Sequence, residues 1–250
     1  MSSEKSTAIV IRQTDFSETS RVVTLFTRDF GKISALAKGA RRLKGPFDSA
    51  LDLLTTCQIV FLRKSSNSLD LLTEAKLLSR FRPQNNNLVS LYGGYYIAEL
   101  LAGLTEDYDP HPRLFDMART GLEQLETSER PLHGIVRFEI EVLREIGQLP
   151  EFEQCLVCQE PLHPGTTYSF WISQGGLICR GCQKGGFQSV QINPGTISIL
   201  QNLCGQENAL QNRIVLNNGQ VAEIRRLLSG MICETLGRRP RMARYLVSNS

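Results

Sequence analysis

With 250 residues, 41% of them hydrophobic, the chain can build one large domain or two to three small ones, each with a modest core. Its net charge is only +3, from 28 Lys and Arg against 25 Asp and Glu, so a polyanionic partner has to be argued from where the charges lie and not from their sum. No run approaches the length of a membrane span, and the N-terminus, MSSEKSTAIVIRQ, has no secretory h-region, which makes the cytoplasm the expected location.

The first third reads as strands. Residues 7–12 (TAIVIR), 21–27 (RVVTLFT), 32–37 (KISALA), 57–62 (CQIVFL) and 69–75 are short runs rich in β-branched and apolar residues. Polar turns separate them at 15–20, 29–31 and 65–68. Five short strands with these turns predict a small barrel or sandwich.

After Pro83 the periodicity becomes helical. Asn85, Asn86 and Asn87 can cap a helix starting near Leu88, and Pro110 and Pro112 end it. Residues 113–125 and 132–146 are two further helices, the second with Phe138, Val142, Leu143 and Ile146 on its inward face and stopped by Gly147 and Pro150. Residues 197–203 and 220–236 are expected to close the chain as helices. The predicted divisions are a barrel at 1–82, a helical domain at 83–150, a cysteine module at 151–190 and C-terminal helices at 191–250.

Within the module, Cys155 and Cys158 form one Cys-x-x-Cys pair and Cys179 and Cys182 another, with twenty residues between them. Two tight turns at that spacing present four thiolates to one tetrahedral ion, which is the pattern of a structural zinc site. A reducing compartment favours metal over disulfide for such pairs. So short a segment has little core of its own, and zinc can supply on the order of 10–16 kcal/mol. Four thiolates close the shell, so His163 is read as a surface residue. Cys57, Cys204 and Cys233 lie in apolar runs and are read as buried thiols.

The cations gather in two places. Lys38, Arg41, Arg42 and Lys44 fall in KGARRLKGPF, with Arg28 and Lys32 upstream and Gly39 and Gly45 allowing close backbone approach. A basic loop on a strand barrel can meet phosphates, with counterion release supplying affinity, and Phe47 or Phe30 can stack on bases unless they belong to the core. The second group is Arg238, Arg239, Arg241 and Arg244 in LGRRPRMARYL, preceded by Arg225 and Arg226. Favourable charge at a helix C-terminus explains one or two of these arginines, not all. The phosphate-loop, dinucleotide, zinc-protease and nucleophile-elbow motifs do not occur, which favours a binding protein over an enzyme.

The order of the segments 21–27, Gly31-Lys32-Ile33-Ser34-Ala35, Lys38-Gly39-Ala40-Arg41-Arg42, YYIAELL at 95–101, RFEIEVLREIGQLPEFEQCLVC at 137–158 and Gly175-Gly176-Leu177-Ile178-Cys179 resembles the bacterial recombination mediator RecO family, over nearly the whole chain. The resemblance implies an α+β multidomain protein: an N-terminal OB-fold barrel, an α-helical domain and an embedded four-cysteine zinc module. It implies a non-enzymatic protein of the bacterial cytoplasm and nucleoid that binds single- and double-stranded DNA and anneals complementary strands. It further implies binding to the acidic tail of single-strand-binding protein and, with RecR, help in loading RecA. On this reading Lys32, Lys38, Arg41, Arg42, Lys44, Arg238, Arg239 and Arg241 meet DNA; Cys155, Cys158, Cys179 and Cys182 hold zinc; and Arg137, Phe138 and Leu143 receive the partner tail. The competing classes are a zinc-dependent nucleic-acid-modifying enzyme and a protein-interaction scaffold that does not bind DNA.

Overall fold

The computed structural model describes residues 2–42, 47, 50–64, 69–184, 189–205 and 214–246. Lys44, Gly45 and the expected turn at 65–68 lie outside the described residues. The chain divides into two compact units, Met1–Pro131 and Leu132–Ser250, so the boundary falls inside the segment 83–150 expected to form one helical domain.

The first unit holds five strands: β1 (Ser2–Asp15), β2 (Arg21–Thr27), β3 (Gly31–Ala37), β4 (Thr55–Arg63) and β5 (Asp70–Arg80). They close into a barrel in the order β1-β2-β3-β5-β4, with β3 and β5 parallel and every other pair antiparallel. Closure depends on β1, whose first part pairs with β4 and whose last part pairs with β2 across an irregularity between Val10 and Arg12. In β3 buried and half-buried side chains alternate strictly, as a strand with one face in a core requires. Ala8, Val10, Val23, Leu25, Ile33, Ala35, Cys57, Ile59, Phe61 and Leu72 fill the interior. Each large aliphatic side chain withdrawn from water contributes roughly 1.5–3 kcal/mol.

Two helices complete this unit, α1 (Leu88–Leu104) and α2 (Pro112–Thr127). Asn87 is the N-cap of α1, its side chain accepting from the Ser90 amide at 3.1 Å, while Pro112 opens α2 instead of merely ending its predecessor. The segment after α1 lies hard against the barrel at Gly31, where φ is +67° and a Cβ would stand 2.0 Å from the Asp109 carbonyl oxygen. Nearby, Asp70 accepts from the Lys64 amide at 3.0 Å and from the Tyr108 hydroxyl, and the Arg63 guanidinium covers the Tyr108 ring at 4.4 Å. Burial, then the Asp70 carboxylate, push the Tyr108 phenol well above its ordinary value.

The second unit is built from α3 (Pro131–Glu145), three short strands, α4 (Pro194–Cys204) and α5 (Asn218–Leu236). The strands, β6 (Tyr168–Trp171), β7 (Gly176–Ile178) and β8 (Ser189–Ile192), form a sheet in the order β7-β6-β8. Asn217 and Gln220 form a capping box at the start of α5, and Gly237 ends it in the left-handed region. Arg225 on α5 is almost wholly buried; it lies 3.8 Å from the fully buried Glu139 and donates to the Leu246 carbonyl. Among the described residues no helix is long and apolar enough to cross a membrane.

Candidate nucleic-acid interface and metal centre

The basic loop leaves the barrel at the end of β3. Gly39, at φ +78°, turns the chain so that the Arg42 amide donates to the Gly39 carbonyl at 3.1 Å. The turn is then fastened to the β1–β2 connection: the Arg41 amide donates to the Thr19 carbonyl at 3.1 Å, and its guanidinium donates to the Ser17 carbonyl at 3.0 Å. Asp15 stands 3.6 Å from the same guanidinium and 2.9 Å from that of Arg21. Lys38 and Arg42 are exposed and make no ion pair with any described residue. Lys38, Arg41 and Arg42 therefore sit on one built turn at the rim of a closed barrel, where field lines from adjacent cations reinforce one another.

Lys32 does not belong to this group. Its ammonium donates to the Ala102 and Thr105 carbonyls at 3.0 and 2.6 Å and lies 3.4 Å from Asp107, with 15% of the side chain exposed. It satisfies carbonyls left open at the C-terminus of α1, a structural role that corrects its expected place among the phosphate ligands. Of the expected stacking aromatics, Phe47 is interior, 3% exposed, and Phe30 is half-buried, packed edge-on against Phe61 at 5.4 Å between centroids. The exposed aromatic of the barrel is Phe16, in the turn that sequence reading treats only as polar. Its signal was an aromatic residue in a run with no apolar neighbour to pair with it.

The four cysteines of the second unit converge, their sulfur atoms all within 4.8 Å of one another. Cys155 is buried and Cys158 exposed. The Cys158 and Cys179 sulfurs are 3.9 Å apart, close to the ~3.8 Å edge of a tetrahedron with 2.3 Å metal–sulfur bonds. Each pair lies on a tight turn: the Gln159 amide donates to the Cys155 carbonyl at 2.9 Å, and the Cys182 amide to the Cys179 carbonyl at 3.1 Å. The Cys179 amide also donates to the Cys155 sulfur at 3.3 Å. Gly176 makes room for this arrangement, since a Cβ there would press on the Leu156 side chain at 3.0 Å. Burial pushes the Cys155 thiol up, but amide donors from Cys158, Cys179 and Val157 outweigh it and bring it down to about 6. The neighbouring Cys179 and Cys158 thiols, followed by burial, push Cys182 up to about 12. One thiolate is thus favoured and a second opposed, which is the electrostatic situation a bound cation relieves. These residues can hold a metal ion. Cys57 and Cys204 lie apart, each pushed up to about 12 chiefly by burial, as inert thiols should be.

The C-terminal arginines follow α5. Arg238, Arg239 and Arg241 are exposed; Arg238 donates to the Arg239 carbonyl at 3.4 Å, and Arg244 lies 4.7 Å from the Tyr245 ring centroid. The tail-binding set fares differently. Phe138 and Leu143 are 2% and 0% exposed in the core of the second unit, so neither can line a surface groove, while Arg137 is half-buried. The error has a simple origin, because an apolar residue on an amphipathic face is most often turned inward.

Residues 1–81 match the family model described as Recombination protein O N terminal, and residues 85–244 match Recombination protein O C terminal. The chain is similar to the DNA repair protein RecO of Rhodopirellula baltica, at 46% identity over 177 residues, 70% of this chain and 66% of that protein. It is also similar to the DNA repair protein RecO of Syntrophus aciditrophicus, at 32% identity over 94% of this chain and 91% of that one. A third relative, the DNA repair protein RecO of Anaeromyxobacter dehalogenans, is 30% identical over 98% of this chain and 96% of its own length. Two family models in series along a barrel and its following helices, with relatives aligned nearly end to end, show that the chain belongs to the RecO family of DNA repair and recombination proteins.

Proposed function

We propose that this protein is a non-enzymatic recombination mediator of the bacterial cytoplasm and nucleoid. It binds single- and double-stranded DNA, anneals complementary strands and, with RecR, helps load RecA onto DNA coated by single-strand-binding protein. The observation that carries the DNA-binding part is the fastened turn with Lys38, Arg41 and Arg42 at the barrel rim. Annealing requires two polyanions to approach, and phosphate neutralisation by a rigid basic rim lowers that repulsion without reading sequence. Lys44 extends the same basic stretch, and Arg238, Arg239 and Arg241 supply a second set of phosphate contacts.

The test is fluorescence anisotropy with single-stranded and duplex oligonucleotides over a range of salt. Replacing Arg41 and Arg42 by Ala should weaken both, with the salt slope for single strands reduced by about 0.7 for the exposed Arg42 and by less than that again for Arg41, which also faces Asp15. Unchanged affinity and slope in a folded double mutant would remove the turn from the interface.

The cysteine cluster is proposed to hold one structural zinc ion, supported by four convergent sulfurs and the absence of any other ligand type among them. Cobalt substitution should give the absorption of a four-sulfur tetrahedral site. For the acidic, apolar tail of single-strand-binding protein, the support is a cavity of about 340 Å³ in the second unit. Leu132, Val221 and Leu246 give it apolar walls, and Arg226 is a cation that can meet a carboxylate. Arg226→Glu should abolish capture of the tail peptide in a binding titration and leave DNA affinity in place.

A further inference from the structure

We infer that Phe16 is a base-stacking platform that makes the barrel rim prefer unpaired strands to duplex. The inference rests on the DNA-binding reading above and adds to it the class of nucleic acid favoured. Phe16 opens the connection between β1 and β2, and its backbone is fixed: its amide donates to the Ser20 carbonyl at 3.0 Å, the Ser17 amide donates to the same oxygen at 3.2 Å, and the Ser20 amide donates to the Ser17 hydroxyl at 3.2 Å. The side chain nonetheless stands 63% exposed. Other barrel aromatics do the opposite, with Phe26 and Phe61 wholly buried and Phe47 nearly so.

A single exposed apolar side chain is common on protein surfaces and by itself says nothing. Its setting is what matters here. The turn that carries Phe16 is the one to which Arg41 is bonded, through the carbonyls of Ser17 and Thr19, so the backbone that bears the ring is fastened to the basic turn. The nearest acid, Asp15, is matched by Arg21 and Arg41, which leaves Lys38 and Arg42 to set the sign of the field around the ring. Glu18, in the same turn, is the one opposing charge on it. An exposed aromatic on a turn fastened to a basic turn is an arrangement that suits single strands, phosphates on the cations and a base on the ring, whatever the base. A duplex offers the same phosphates but hides its base faces in the stack, so Phe16 has nothing to grip there. On pairing, the base held by Phe16 returns to the helix, and the ring contributes to holding the reactant but not the product of annealing.

The experiment compares the full wild-type chain with Phe16→Ala, Phe16→Leu and Phe16→Trp on three probes of equal length: oligo(dT), its abasic analogue and a blunt duplex. Phe16→Ala should bind oligo(dT) roughly tenfold more weakly, within the range for loss of one base–aromatic stack. Its affinity for the abasic strand and the duplex, and its salt slope, should match wild type. Phe16→Leu, equally apolar but not planar, should resemble Phe16→Ala. Phe16→Trp in a Trp171→Phe background should keep affinity and show tryptophan quenching on oligo(dT). Equal oligo(dT) binding by wild type and Phe16→Ala, full retention by Phe16→Leu, or an equal loss on all three probes would each overturn the inference. Failure of the wild-type chain to bind any probe would overturn the DNA-binding reading, and the stacking role with it.

Discussion

The barrel and the cysteine lobe meet the same difficulty, too little interior for a fixed shape, and resolve it differently. The barrel closes on itself, so that side chains from all five strands share one core and no sheet edge is left over. The lobe has three short strands, and its turns are held by four sulfurs drawn to one point. Phe152 stacks on Phe170 at 6.2 Å inside the lobe; Gln201 of α4 donating to the Phe152 carbonyl at 2.8 Å, and Ile172 lying where a Cβ on Gly230 of α5 would press, attach it to the rest of its unit. Rigidity in the barrel therefore comes from burial, while the lobe places four sulfurs where a metal ion can hold its turns. Exposed side chains can be mounted on the turn at Gly39–Arg42 because the same connection anchors itself further along, with Phe47, Ala50 and Leu51 buried in the barrel core.

Chelation is the strongest way to break this comparison, since a metal held by four cysteines can supply on the order of 10 kcal/mol to a module of this kind. A chelator, or Cys155→Ser, should shift the emission of Trp171, the only tryptophan, and open the lobe to protease. Affinity for single-stranded DNA should persist, because Lys38, Arg41 and Arg42 belong to the other unit. Loss of DNA binding together with the metal would mean that the lobe takes part in the interface. Next in size is Gly31→Ala. It imposes a left-handed φ of +67° on a side chain and drives its Cβ into the Asp109 carbonyl, which should cost about 4 kcal/mol of stability by thermal melting. Arg225→Met should cost about 3 kcal/mol, because it leaves Glu139 buried without its cation. Full stability in either variant would show that the close approach or the ion pair relaxes freely.

Much of this was readable in the residues, and the failures share a cause. The central runs of the five barrel strands and of the five helices are legible in the sequence, and the Cys-x-x-Cys spacing picks out the four cysteines that converge. What escaped depends on partners distant in sequence. The start of β1, Ser2 to Ser6, is polar and lies outside the strand expected at 7–12, yet it pairs residue by residue with β4. The strands β6, β7 and β8 are three or four residues long, too short for a period to show. Phe138 and Leu143 lost their expected role because a pattern cannot tell an inward face from a binding groove. Phe16 went unnoticed because exposure is a tertiary property.

Lys32 provides the finest test, since it sits six residues before Lys38 and carries the same charge, but does different work. Its ammonium spans two carbonyls at the end of α1 and Asp107, so Lys32→Met should lower stability by roughly 1–2 kcal/mol through loss of charge-assisted hydrogen bonds at a helix terminus. It should leave the salt slope of DNA binding untouched, because an ammonium held at the helix terminus neutralises no phosphate and releases no counterion. Lys38→Met should do the reverse, with melting unchanged and the slope for single strands reduced by about 0.7. The two variants differ in neither charge removed nor side chain introduced, so only location can separate them. A reduced slope for Lys32→Met would mean that the ammonium leaves the helix terminus for the nucleic acid, and would extend the phosphate-binding rim down β3 from the turn at Lys38, Arg41 and Arg42.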